Sequence, residues 1–270
     1  MFVIIVKEAM ALLKKNMNLA QLIFIFYIIA TLFAPMVMGV KLNFKAIPML
    51  VLWYALFCSL FAGLFFAFKK ALDYKTNPPQ ENSLGLSPLY FAEFLQGVGK
   101  YTTKFLLAGL IVLFLLLLLG MGYDFVIEHY VVLPQSFQQI SSDILLSDSK
   151  MTEFINSLTL AEQIKLSKLS LFTLGVIAVF GVLTMFYPVL LVSNEDNPFK
   201  SFIISLKYLF WNLPISLVIF FFFNIAITFA SLISFSAGNN IIISIISILL
   251  QCYLNVLYIL TLFVYYEKAK

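Results

Sequence analysis

Six stretches of this chain, at about residues 19–38, 46–68, 105–123, 169–192, 213–235 and 241–265, are apolar and carry no ionisable side chain in their cores. Crossing a hydrocarbon core takes roughly 20 helical residues, and each stretch is about that long. With no water to bond them, backbone groups in lipid must be paired within the protein, so only helices and closed barrels can span. Barrel strands alternate apolar and polar residues over about ten positions. The run from Leu110 to Leu119 is apolar on every face. The sequence therefore predicts an all-α membrane protein with six transmembrane helices, one polytopic domain over residues 1–270. At 62% hydrophobic and 11% charged residues, too little of the chain is left for a second, soluble catalytic domain.

Orientation follows from lysine. All 17 basic residues are lysine. With the N-terminus inside, Lys7, Lys14, Lys15, Lys69, Lys70, Lys75, Lys100, Lys104, Lys200, Lys207, Lys268 and Lys270 face the cytoplasm. Lys41, Lys45, Lys150, Lys165 and Lys168 face outward, a division of 12 against 5. Both termini are expected in the cytoplasm, and the first span is expected to stay attached as a signal anchor, since no A-x-A site is present. Richness in Lys, Phe, Ile and Asn suggests an AT-biased bacterial genome, hence a bacterial cytoplasmic (inner) membrane. The flanking lysines imply anionic lipid headgroups as partners and give no reason to invoke nucleic acid. Cys58 and Cys252 fall within spans, where a thiol acts as a small hydrophobe.

Three segments ahead of the odd-numbered spans share a pattern. In residues 2–18, Lys7, Ala11, Lys14 and Asn18 fall on one helical face. After Ser87-Pro88, the stripe Glu93, Gln96, Lys100 and Lys104 opposes Phe91, Phe94, Leu95, Val98 and Phe105. After Asn197-Pro198, the stripe Ser201, Ser205, Tyr208 and Asn212 opposes Phe199, Phe202, Leu206 and Leu209. Such stripes predict amphipathic interfacial helices. Each is followed by two spans, which gives three repeats of interfacial helix plus helical hairpin, at about 1–70, 87–192 and 197–267. Lys100-Tyr101 and Lys207-Tyr208 occupy comparable places, and Asn16 and Asn212 each close their helix. Residues 129–168 form an outer insertion. Thr159 with Glu162 reads as a capping box, and Phe137, Ile140, Ile144 and Leu145 as a short helical pattern. The expectation is a small helical cap on the outer side; its alternative role is a partner-binding surface.

Chemistry is hard to find. Charge inside a span is the best pointer to transport or intramembrane catalysis, and the six cores have none. His129, the single histidine, lies near Asp124 and Glu128, short of the ligand set a zinc site needs. No phosphate loop, H-E-x-x-H or G-x-S-x-G occurs. No catalytic, cofactor-binding or metal residue is assigned, and the chain reads as no enzyme. The polar intramembrane candidates are Asn224 in span five with Gln251 and Asn255 in span six. Gln251 and Asn255 share a face, and Asn224 falls at a similar depth to Gln251. An interhelical hydrogen bond is the expected use. Lining a polar path with Thr228, Ser231, Ser244 and Ser247 is the alternative.

The series Ala9-x-x-Leu12-Leu13-Lys14-Lys15-Asn16, Phe91-x-x-Phe94-x-x-Gly97-x-x-Lys100-Tyr101, and Asn197-Pro198 with Ser205-x-Lys207 and Asn212 resembles a set of six-span bacterial membrane proteins. These are related to the membrane domain found ahead of some glycerophosphoryl diester phosphodiesterases. The resemblance implies a fold and a membrane location. These 270 residues contain no phosphodiesterase domain, so no catalytic residue carries over. The expected function is that of a non-enzymatic accessory, assembly or scaffold component, with a protein partner in the membrane. A transporter or channel for a lipid or small solute is the alternative.

Overall fold

The structure, a computed structural model, describes residues 1–38, 47–76, 86–130, 148–194, 197–236 and 240–269. Among them there are ten helices and no strand. We number these α1 Phe2–Lys15, α2 Leu19–Met38, α3 Ile47–Thr76, α4 Leu86–Tyr130, α5 Asp148–Ser157, α6 Leu160–Thr184, α7 Tyr187–Ser193, α8 Pro198–Trp211, α9 Leu213–Ser236 and α10 Ile241–Ala269. The all-helical membrane class expected from sequence is the class observed. Five segments are long and apolar enough to cross a bilayer: Ile47–Tyr74, Leu89–Ile127, Leu160–Ser193, Leu213–Ile233 and Ile241–Ala269. A sixth arises if α1 and α2, bent by 87° at their junction, count as one broken span. Large apolar side chains stand on the outside of these segments, with Leu117 67%, Leu171 68% and Ile241 74% exposed. Such surfaces suit lipid as the solvent.

The chain divides into two compact units. One comprises Met1–Ile111 with Leu183–Lys270, and the other is Val112–Val182.

The first unit is organised around α10, which packs against α1, α2, α3, α7 and α9. Span four, continuous by sequence, breaks at Met185 and Phe186, and the chain resumes as the seven-residue α7 with Pro188 in its first turn. Proline fits there because the first N–H groups of a helix have no intrahelical partner. Tyr187, Val189, Leu190, Leu191 and Val192 are all buried, so α7 is covered on every face. It packs against α3, α8 and α10. An aromatic ladder at four-residue spacing runs along α3: Trp53, Phe57, Phe61 and Phe65, with successive centroids 4.5, 5.4 and 6.1 Å apart. Phe26 of α2 meets both Phe57 and Phe61 edge-on at 5.0 Å. Farther along α3, Gly63 meets α4. A Cβ on Gly97 would come within 2.5 Å of Phe66 Cβ, and one on Gly63 within 2.7 Å of the Phe94 carbonyl oxygen. The two backbones touch because both residues lack a side chain.

The expected interfacial helices have three different outcomes. Helix α1 is amphipathic as read: Ile5, Ala9, Leu12 and Leu13 are buried, while Lys7, Ala11 and Lys14 are exposed. Helix α8 departs from the expected division, because Phe202 and Leu209 of its apolar stripe and two residues of its polar stripe are buried together. Its small polar residues Ser201 and Ser205 are buried, and Phe199, Ile203 and Phe210 point outward. Serine allows close helix contact, and its hydroxyl can be satisfied locally, as Ser205 does on the Phe202 carbonyl at 2.7 Å. The second stripe does not form a separate helix; it continues into span three as the 45-residue α4. The difference has a local cause. Asn16 and Asn212 close α1 and α8 with nearly the same backbone, φ −128°, ψ 42° and φ −119°, ψ 27°. Each also donates its side-chain amide to the carbonyl four residues back, at 2.8 and 3.1 Å. No asparagine interrupts α4, and Thr102 instead bonds the Val98 carbonyl at 2.5 Å within the helix.

In the second unit, the Thr159–Glu162 capping box forms as read. The Thr159 N–H and Oγ1 donate to Glu162 Oε2 at 2.9 and 2.7 Å, and the Glu162 N–H returns to Thr159 Oγ1 at 3.4 Å. The pattern through Phe137, Ile140, Ile144 and Leu145 lies outside the described residues.

Replacing Gly97 by alanine should destabilise the protein by about 1–3 kcal/mol, the usual range for overpacking. Gly99→Ala, with nothing within 4 Å of its added Cβ, should be neutral. Thermal unfolding in detergent compares the two. Equal midpoints would refute close α3–α4 contact.

Candidate functional site

The intramembrane polar residues form a stripe along α10. Ser247, Gln251 and Asn255 recur every four residues and so lie on one face. Ser247 Oγ, buried, donates to the Ala230 carbonyl of α9. Gln251 Nε2 donates to Ser247 Oγ at 3.4 Å. Asn255 Nδ2 donates to the Gln251 carbonyl at 2.8 Å and to Tyr27 Oη of α2 at 3.3 Å. The stripe ties α10 to α9 at one end and to α2 at the other.

Asn224 is not brought to this stripe. It is exposed, and its amide donates to the Phe220 carbonyl of its own helix at 2.8 Å. The bond from α10 to α9 is made by Ser247, and Phe223 faces Tyr258 with ring centroids 5.3 Å apart. Sequence gives Asn224 the right depth, but the helix face toward α10 is the one bearing Phe223 and Ala230. Sequence reasoning named Ser247 only on the alternative polar path and did not single out Tyr27. The signal for Ser247 was its four-residue spacing from Gln251; nothing marked Tyr27, which is 228 positions from Asn255.

A second polar region lies where α7 ends. Tyr101 Oη donates to the Val192 carbonyl and Lys104 Nζ to the Asn194 carbonyl, each at 3.5 Å. Tyr266 Oη donates to Asn194 Oδ1 at 3.3 Å, Tyr187 Oη to the Pro198 carbonyl at 3.1 Å, and Tyr208 Oη to the Tyr265 carbonyl at 3.1 Å. Carbonyls at a helix end lack intrahelical donors and carry partial negative charge, so a lysine and phenols are suitable partners. Burial, with Tyr265 and Tyr266 adding to it, pushes the Tyr208 phenol above its ordinary pKa and keeps it a neutral donor. The paired Lys-Tyr dipeptides noted in sequence thus do the same work: Tyr101 and Tyr208 each reach a distant backbone carbonyl. Their lysines stand over aromatic rings, Lys100 5.3 Å from Tyr101 and Lys207 5.8 Å from Trp211.

Nearby, Tyr90 Oη donates to Asn16 Oδ1 and Tyr74 Oη to Glu93 Oε1. Glu8 pairs with Lys268. A cleft of about 540 Å³ opens beside α8, lined by Met1, Ile204, Lys207, Tyr208, Trp211, Asn212 and Ala269. Trp211 is 79% exposed at its rim.

The second unit holds an apolar groove of about 350 Å³ between α4 and α6, lined by Leu116, Leu119, Val176, Ile177 and Phe180. Its polar contact is Tyr123 with Thr173 at 2.9 Å. His129 bonds the Phe125 carbonyl through Nδ1 at 2.9 Å and stacks on the Phe125 ring at 4.2 Å. Among the described residues no three His, Cys, Asp or Glu side chains converge as metal ligands would.

Comparison with protein-family models, characterised proteins and solved structures finds no match for this chain.

Ser247→Ala should lower stability by about 1 kcal/mol, the scale of an interhelical hydrogen bond in a membrane. Ser244→Ala, removing a hydroxyl with no bond described, should cost less. Unfolding midpoints of the two variants check this. A larger loss at Ser244 would contradict the assigned α9–α10 bond.

Proposed function

We propose that this chain is a non-enzymatic accessory, assembly or scaffold component of a bacterial cytoplasmic membrane, with both termini in the cytoplasm. The observation that carries the reading is how the intramembrane polar groups are used. A conducting path needs polar side chains facing a shared cavity with bonding capacity to spare. Ser247 and Asn255 bond from α10 to α9 and α2, Gln251 bonds Ser247 within α10, and Asn224 stands apart from them. That use is structural and weighs against the transporter alternative. The spans also present broad apolar faces, on which membrane partners and lipid compete.

Anionic lipids on the cytoplasmic leaflet are the proposed lipid partners. Support comes from the cleft, where Lys207 stands over exposed Trp211. A cation beside an interfacial aromatic suits a phosphate headgroup.

Gentle extraction followed by native mass spectrometry tests the accessory role. The expected result is a fixed-stoichiometry assembly with a different membrane protein, together with no solute flux by the purified chain in liposomes. Flux abolished by joint Gln251→Leu and Asn255→Leu substitution in a folded protein would overturn this reading in favour of transport. Topology is tested separately by thiol labelling after removal of Cys58 and Cys252. A cysteine at position 145 should react only from outside and one at position 80 only from inside. The reverse would invert the assigned orientation.

A further inference from the structure

Helices α3 and α4 bring three lysines to one place. Tyr54 meets Gly109 and Gly63 meets Gly97, so the two helices run antiparallel in close contact. About one turn from the glycines, Phe66 lies against Tyr101 with ring centroids 5.4 Å apart. Both rings are buried, Phe66 4% and Tyr101 3% exposed. Lys70, four residues after Phe66, reaches back over that ring at 5.5 Å. Lys104, three residues after Tyr101, reaches back over its ring at 5.4 Å, and Lys100 stands over the same ring at 5.3 Å. Helical side chains lean toward the N-terminus, and on antiparallel helices this turns Lys70 and Lys104 toward each other.

Protein carboxylates do not neutralise this cluster. Lys268 pairs with Glu8, but among the described residues no acidic side chain pairs with Lys70, Lys100 or Lys104. Glu93 of α4 accepts from Tyr74 instead. Lys104 has the neutral Asn194 carbonyl at 3.5 Å. Lys70 and Lys104 are half-buried, where a cation without a counter-ion is unfavourable, and Lys100 is exposed beside them. The cluster also sits at a particular depth. Lys70 lies just past the apolar stretch ending at about 68, and Lys104 directly precedes the one starting at about 105. Tyr101 bonds the Val192 carbonyl, where span four ends. Three spans therefore place these ammoniums at the edge of the hydrocarbon core, where lipid headgroups begin.

We propose that Lys70, Lys100 and Lys104 form a site for the phosphate headgroup of one anionic phospholipid, bound where α3 and α4 meet. Charge decides the class of ligand, since three unpaired ammoniums call for an anion with several oxygen acceptors. Depth decides its source, since lipid phosphates already occupy this plane at high local concentration. The rings hold the ammoniums in place before the lipid arrives, which lowers the entropy lost on binding. The proposal deepens the anionic-lipid reading and rests on it, but its site is not the Lys207–Trp211 cleft.

Native mass spectrometry of the full chain in detergent tests this, with phosphatidylglycerol, phosphatidylcholine or inorganic phosphate added in turn. One phosphatidylglycerol should bind saturably, and the other two at least about 10-fold more weakly. Lys70→Gln with Lys104→Gln should weaken phosphatidylglycerol binding about 30-fold, the equivalent of about 1 kcal/mol per lysine at a membrane surface. Lys70→Gln with Lys100→Gln keeps the Lys104–Asn194 bond and should show a similar loss, which covers misfolding of the first variant. Thermal unfolding without added lipid separates binding from folding. Lys165→Gln with Lys168→Gln removes equal charge from the second unit and should change binding less than about 2-fold. Equal losses in the two units would mean diffuse attraction and overturn the proposal. So would inorganic phosphate binding as tightly as the lipid. An acidic protein released by Lys70→Gln with Lys104→Gln, with lipid binding intact, would also overturn it. Lys207→Gln with Trp211→Ala separates the two lipid readings. Loss of the bound lipid in that variant alone would place it in the cleft and refute the α3–α4 site. Absence of saturable phosphatidylglycerol binding in every form would refute both.

Discussion

Water is absent from the core of a bilayer, so a polar group there has only the protein to bond to. Most of the architecture follows from that constraint. It selects helices, and it also governs what happens where helices break. Span four is interrupted at Met185 and Phe186, and the short α7 that follows ends in carbonyls with no helical donor. Tyr101 and Lys104 from α4 reach those carbonyls, while Tyr266 from α10 bonds the Asn194 side chain. Those bonds satisfy the far end of α7, several residues past the break. The break places α3, α8 and α10 against one largely buried segment.

The same constraint explains why α8 turns its serines inward. In water an amphipathic helix hides its apolar face. Beside lipid, apolar side chains lose nothing by pointing outward, and packing favours whichever face allows the closest approach. Ser201 and Ser205 provide that face on α8, and Gly63 and Gly97 provide it between α3 and α4. Large residues such as Phe199 and Phe210 are then free for the outside.

Features set by a few neighbouring residues were legible in the sequence. Five of the six expected spans were readable from composition alone, and the stretch at 19–38 enters only in the bent pair of α1 and α2. Asn197 accepts from the Phe199 N–H as an N-cap, and Thr159 with Glu162 forms its capping box. The closures at Asn16 and Asn212 were equally local. What failed were inferences that needed a solvent to be assumed or a rotation to be known. The stripe on α8 was found correctly, but its polar side was assigned to water. Asn224 was at the right depth on the wrong face, since depth follows from counting residues and azimuth follows from packing. The continuity of α4 reflects a missing Asn stop, a signal present in the comparison of the three segments. The break before α7 was marked by Pro188, which reads equally well as a harmless proline near a span end.

Taken together, the bonds favour a molecule whose polar atoms serve assembly. Tyrosines join helix ends to neighbouring helices, serine and asparagine join α9, α10 and α2, and lysines cover carbonyls or stand over aromatic rings. Each contact is worth about a kilocalorie, so their effect lies in fixing one arrangement among helices that are all apolar and otherwise interchangeable. Hydrophobic contact cannot do this in lipid, where protein and solvent are equally apolar. Specific association of this chain with anything in the membrane plane must come from the same source. A polar group left outside the internal network is then a recognition element that a span can present, worth about a kilocalorie where it finds a partner.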